Sequence, residues 1–218
     1  MPLYFILSLV YFTVLLLSCL LTGWLLVRKS WPLEYKLLVV LCSLTFLVEM
    51  SADLLVIHRI YHFWLYNLFA PVECGFILYI FYRGSTDPAV KRLNVLLLAC
   101  LPPGIAVTYF LHPVFFRLNE PAALLYLFWE LIGACAVVIG ILLNKSDSPL
   151  GHQPLFWMAC GILFYCCIFT LIHAVMNVMP KIQNQYFTLY SFFANTFMYS
   201  GFIASFCSLR RVNRAILV

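Results

Sequence analysis

The stretch KLLVVLCSLTFLVEMSADLLVI, residues 36–57, is an apolar run interrupted by two acids, Glu49 and Asp53. Its length decides the fold. At 1.5 Å of rise per residue a helix over this run is about 33 Å long, which matches the ~30 Å of hydrocarbon in a bilayer. Runs of the same kind recur at about 3–27, 64–82, 93–112, 122–143, 155–178 and 185–207. The composition agrees: 65% of residues are hydrophobic, 10% are charged and the mean hydropathy is +1.00, far from the values of soluble domains. A chain of 218 residues has room for these helices and no separate soluble domain. The expected architecture is all-α, a single seven-transmembrane-helix bundle over residues 1–218. Its first run has no basic residue in MPLYF and no small-residue cleavage pattern before Arg28, so it reads as a retained helix and not as a signal peptide.

Basic residues set the expected orientation, because Lys and Arg beside a span are held on the cytoplasmic side during insertion. Arg28, Lys29, Lys36, Arg83, Lys91, Arg92, Lys145, Arg210, Arg211 and Arg214 fall on one side, ten of the thirteen. Only Arg59, Arg117 and Lys181 fall on the other. The N-terminus is therefore expected outside and the C-terminus in the cytoplasm. This distribution also accounts for the net charge of +5 without a nucleic-acid partner. The lipid bilayer is the partner that the composition demands. The nine cysteines all lie in or at the ends of the spans, which suits small apolar packing residues better than disulfides or a zinc motif.

Four acids stand inside the spans: Glu49, Asp53, Glu73 and Glu130. Each costs about 2.5–3.5 kcal/mol at mid-membrane, too much to leave facing lipid. Counted from the outer helix ends, Asp53 lies ~6 Å deep, Glu49 and Glu130 ~12 Å and Glu73 ~13 Å. Other polar residues fall at the same level. Four-residue spacing puts Glu49 with Asp53, Tyr126 with Glu130, and His173 with Asn177 on common faces. Tyr66 shares a face with Glu73 seven residues on, and Ser191, Asn195 and Tyr199 form one stripe on the last helix. These eleven residues outline a ligand-binding polar pocket in the outer half of the membrane, although polar side chains also bond helices together in lipid. Two acids one turn apart suit a shared proton, a bound amine or metal, or hydrogen bonds to a neutral ligand. No cofactor is expected.

The segment IHRIYH places His58 and His62 four apart, as on a helix turn that presents two imidazoles to one ion, with Asp53 as a third ligand. It is also a short outside connection, where interfacial His, Tyr and Trp are common. Pro102, Pro103 and Gly104 fall near the middle of the fourth span and predict a kink there. Pro71 precedes Glu73 by two residues and loosens the third helix beside the acid.

Residues 185–207 contain no lysine, which excludes a retinal Schiff base. Ser51, Asp53, His58 and His62 resemble part of the motif of intramembrane zinc hydrolases of the alkaline ceramidase type, but the later histidine pair of that family is missing. The layout also resembles that of sugar transporters built from two three-helix repeats, whose Pro-Gln signature is absent. The chain is most similar to the seven-helix sensor regions ahead of bacterial histidine kinases, and to small bacterial membrane proteins of the same size. The resemblance rests on Glu49, on the aromatic start WLYNLFAPVE at 64–73 and on Arg83 at the end of the third span. It implies a multi-pass protein of the bacterial inner (cytoplasmic) membrane that passes a signal to a partner protein. The function expected is a receptor-like sensor of a small ligand or proton. The alternatives are a proton-coupled small-molecule transporter and an intramembrane metal-dependent hydrolase.

Overall fold

A computed structural model describes residues 2–26, 31–111, 118–144, 149–178 and 183–216. Seven α-helices follow in order: α1 Pro2–Leu26, α2 Leu33–Ile57, α3 Phe63–Gly84, α4 Pro88–Leu111, α5 Glu120–Leu143, α6 Pro154–Val178 and α7 Gln183–Ile216, with a 3₁₀ turn at Leu150–His152. Among the described residues there is no strand. Six of the helices, α2 to α7, contain stretches long and apolar enough to cross a membrane. Large apolar side chains uncovered by protein, such as Phe110 at 85% exposure and Leu171 at 65%, are what lipid-facing helices require. An integral multi-pass membrane protein accounts for both observations. The connections that carry Arg28, Lys29, Arg117, Lys145 and Lys181 lie outside the described residues.

The element boundaries follow local chemistry. α2 starts after Pro32, whose carbonyl accepts from the Tyr35 N–H at 3.2 Å. It ends with two bonds that close its last turn, Arg59 N–H to the Val56 carbonyl (3.0 Å) and Ile60 N–H to the Leu55 carbonyl (2.8 Å). Arg59 takes φ 58° to make them, a left-handed helix cap held by a non-glycine residue. α4 begins five residues before its expected apolar run because Asp87 caps it, its Oδ1 accepting from the Ala89 N–H at 2.7 Å. α4 is continuous through Pro102 and Pro103. α7 extends past its apolar stretch through Arg210, Arg211 and Arg214 to Ile216, where the sequence suggested only a basic tail.

The chain divides into two compact units, Met1–Leu21 with Ala134–Val218, and Thr22–Gly133, the boundaries falling within α1 and α5. In the first unit α6 and α7 approach closely at Gly161 and Gly201. A methyl group on Gly201 would lie 2.8 Å from both the Gly161 Cα and the Trp157 carbonyl, so only hydrogen fits between these backbones. The Trp157 indole N–H (3.0 Å) and the Ser208 hydroxyl (3.1 Å) both donate to the Gly151 carbonyl, tying the 3₁₀ turn to the two helices. In the second unit Cys74 and Leu78 of α3, Leu97 of α4, and Ala122 and Tyr126 of α5 make a buried core, with Leu101, Ile105 and Trp129 packed against it.

Candidate functional site

The site in the Thr22–Gly133 unit grows from α2 and α3. Four-residue spacing puts Glu49 and Asp53 on one face of α2, and the tight cap at Arg59 returns the chain so that α3 starts beside them. The Tyr66 hydroxyl donates to Glu49 Oε2 at 2.9 Å. Tyr66 also feels the charge of Asp53, and Asp53 interacts electrostatically with His62. The His62 ring lies tilted against Phe63 at 4.5 Å and meets Tyr66 edge-on at 5.8 Å. Burial among these rings holds the His62 imidazole below its ordinary pKa of 6.5, and Asp53 offsets part of that shift.

Two further acids continue inward. Glu73 of α3 lies within electrostatic reach of Glu49, and Glu130 of α5 within reach of Glu73. Burial increases along the same path. Asp53 is exposed, Glu49 and Glu73 are half-buried, and Glu130 is buried, as is Tyr126 one turn before it. Glu49, Glu73 and Glu130 therefore form a chain in which each carboxyl senses the next, and Asp53 joins it through Tyr66, which feels both Glu49 and Asp53; the set runs from the last turns of α2 to the interior of the unit. No lysine or arginine occurs in the sequence between Lys36 and Arg59, between Arg59 and Arg83, or anywhere in α5. Like charges in this order favour sharing a proton or a cation.

A second polar group supports this chain, and its signal in the sequence was Pro71. Lacking an N–H, Pro71 leaves the Asn67 carbonyl without its helical donor, and the Tyr109 hydroxyl of α4 donates to that carbonyl instead. The Asn67 side chain accepts from the Asn119 N–H at 2.9 Å, while Asn119 Oδ1 accepts from the Ala122 N–H at 3.3 Å and caps α5. Asn67 thus joins α3 to α4 and to the start of α5, and fixes the two helices that carry Glu73 and Glu130. Helical spacing set Asn67 apart from Tyr66 and Glu73, and its buried position toward α4 and α5 follows from that.

The alternative metal-binding arrangement of Asp53, His58 and His62, weighed in the sequence against a plain interfacial connection, needs helix through residue 62. The structure ends α2 at Ile57 and reverses the chain at Arg59, so the two histidines do not share a helical turn. Among the described residues no group of three His, Cys, Asp or Glu side chains is placed to hold a metal ion.

The remaining expected site residues belong to the other unit. His173 is buried, its ring 6.3 Å from that of Phe169. Ser191 and Asn195 are half-buried. Tyr199 is buried, its ring 6.1 Å from Tyr11 and 5.7 Å from Phe202, which makes it part of an aromatic core. The Asn177 side chain lies outside the described residues. Comparison with protein-family models, with curated proteins and with solved structures finds no match.

Proposed function

We propose that the chain is a receptor-like membrane sensor whose Thr22–Gly133 unit takes up a proton or a small cation at the acid chain Asp53, Glu49, Glu73 and Glu130. The observation that carries this reading is the electrostatic linkage of Glu49, Glu73 and Glu130, with Asp53 joined through Tyr66, combined with burial that increases from Asp53 to Glu130. Carboxyls arranged in this way, with no lysine or arginine in the sequence at 37–58, at 60–82 or in α5, respond to whatever supplies positive charge. Tyr66 positions Glu49, and Asn67 with Tyr109 and Asn119 fixes α3 against α4 and α5. The ten-to-three division of basic residues supports an outside N-terminus, which opens the exposed Asp53 end outward. Membrane insertion in a bacterial cytoplasmic membrane and signal transfer to a partner protein follow from the similarity in layout to kinase sensor regions.

The test uses the full chain in lipid nanodiscs, with the proton and methylammonium as probes. Tryptophan fluorescence should change between about pH 5 and pH 8, the range over which coupled acids exchange protons, and methylammonium should shift that change. Asp53→Asn, Glu73→Gln and Glu130→Gln keep side-chain shape but remove ionisation, so each should reduce the response while the helical circular dichroism stays constant. In liposomes a sensor produces no net proton flux. Flux on addition of a solute would move the reading to the transporter, and an unchanged response in all three variants would refute the acid chain as the site. An impermeant thiol reagent should label Ile60→Cys and spare Thr86→Cys in intact cells. Ile60 is the better outside probe because Asn119, an obvious loop position in the sequence, is buried.

A further inference from the structure

α4 has a weak turn, and an indole ring from α5 is seated against it. Pro102 and Pro103 remove two consecutive N–H donors, so the carbonyls of Leu98 and Ala99 lose their helical partners. The next residue is Gly104, which lacks the side chain that would stiffen the backbone. The notch at Gly104 is filled from α5: a methyl group there would overlap Cη2 of Trp129 and lie 3.2 Å from Leu125 Cδ2. Trp129 precedes Glu130, the buried end of the acid chain, and its ring lies 6.2 Å from that of Tyr126.

We propose that Trp129 in the Gly104 notch is a latch through which occupancy of the acid chain acts on the weak turn of α4. The proposal rests on the sensing function above and adds the route by which it leaves the site. Glu130 lies within electrostatic reach of Glu73 of α3, and Glu73 within reach of Glu49 of α2. α4 contributes no acid, histidine, lysine or arginine between Arg92 and Leu111, and its Thr108 and Tyr109 lie beside Tyr126, as does Cys74 of α3. A change of charge at Glu130 therefore meets α4 through neighbouring α5 side chains and not through a charge on α4 itself. When the carboxyl gains or loses charge, α5 shifts its seat, Trp129 moves in the notch, and the turn at 98–104, short of two backbone bonds, yields first.

Hydrogen exchange read by mass spectrometry on the full chain in nanodiscs tests this, with the proton as probe. Rates at about pH 5 and pH 8, corrected for intrinsic exchange, should differ at least about fivefold in the 98–105 segment, the low end of coupling between sites. Gly104→Ala should abolish that difference while the segment 58–66, at the outer end of the acid chain, keeps its own. Trp129→Phe provides the same test should Gly104→Ala fail to fold, because the smaller ring cannot fill the notch. If the α4 difference persists in the folded variants while the outer segment still responds, the latch is refuted and the sensing site stands. If neither segment responds in the unmodified protein, both are refuted.

Discussion

Removing the Tyr66 hydroxyl tests whether the outer half of the acid chain is built as the structure has it. The bond to Glu49 Oε2 is 2.9 Å long. A fully charge-assisted O–H···O bond is shorter, about 2.5–2.7 Å, so this one belongs with ordinary hydrogen bonds worth about 1 kcal/mol. Side-chain bonds measured inside membrane proteins average about 0.6 kcal/mol and reach about 1.7. Glu49 makes other interactions, so the single change Glu49→Gln does not isolate the pair. A double-mutant cycle does. Tyr66→Phe, Glu49→Gln and the double variant, compared with the unmodified protein by reversible SDS unfolding in mixed micelles, should give a coupling of about 1 kcal/mol, or ~5-fold in the unfolding constant. Independent sites add within about 0.3–0.5 kcal/mol. A coupling below ~0.3 kcal/mol would show that the hydroxyl and the carboxyl do not bond, and the link from α2 to α3 would lose its basis.

Two further outcomes follow from the geometry. Burial lowers the His62 pKa from 6.5 and Asp53 opposes the shift, so the unfolded chain takes up this proton before the folded one does. The stability associated with neutral His62 is complete above pH 6.5 and is lost as pH falls through 6.5 toward the folded value. Asp53→Asn should move the NMR titration of His62 to lower pH, and an upward move would contradict the arrangement. In the other unit, Gly201→Ala forces a methyl to 2.8 Å from two backbone atoms, which neither helix relieves by a rotamer change. It should cost about 1–3 kcal/mol in the same unfolding assay, whereas Gly151→Ala, with nothing within 4 Å, should change little.

Hydrophobic run lengths place all seven helices to within a few residues, apart from the start of α4 and the end of α7, because crossing a bilayer leaves the backbone no alternative to helix. The exceptions come from local chemistry: the Asp87 cap begins α4 before its apolar run, and α7 continues through arginines that hydropathy cannot credit to a span. That Glu49, Asp53, Tyr66, Glu73 and Glu130 come near one another was legible because helical spacing is linear in the sequence, whereas Tyr126 joins the core beside Thr108, Tyr109 and Cys74. The alternative pairing of His58 with His62 on one ion fails, and the interfacial-loop reading is kept, because i, i+4 spacing has meaning only while the helix continues. Arg59, which ends it, carries no signal, being neither glycine nor asparagine. Asn67, Tyr109 and Asn119 were missed as a group because a carbonyl freed by proline shows which group needs a donor but not which distant hydroxyl provides it.

Energetics explains why the acid chain is a stronger functional signal than its residue types alone. Four carboxyls at membrane depth oppose insertion by on the order of 10 kcal/mol, and interhelical bonds return about 0.6 kcal/mol on average. Packing alone would need more than a dozen such bonds to offset them. The same unit fixes α3 to α4 and α5 with Asn67, Tyr109 and Asn119, and these neutral groups carry no comparable insertion cost. Helix association therefore has an inexpensive solution in this protein, and the acids are not it. A side-chain set that opposes insertion, comes from three helices and becomes more buried from Asp53 to Glu130 is therefore the ground on which the sensing function is proposed.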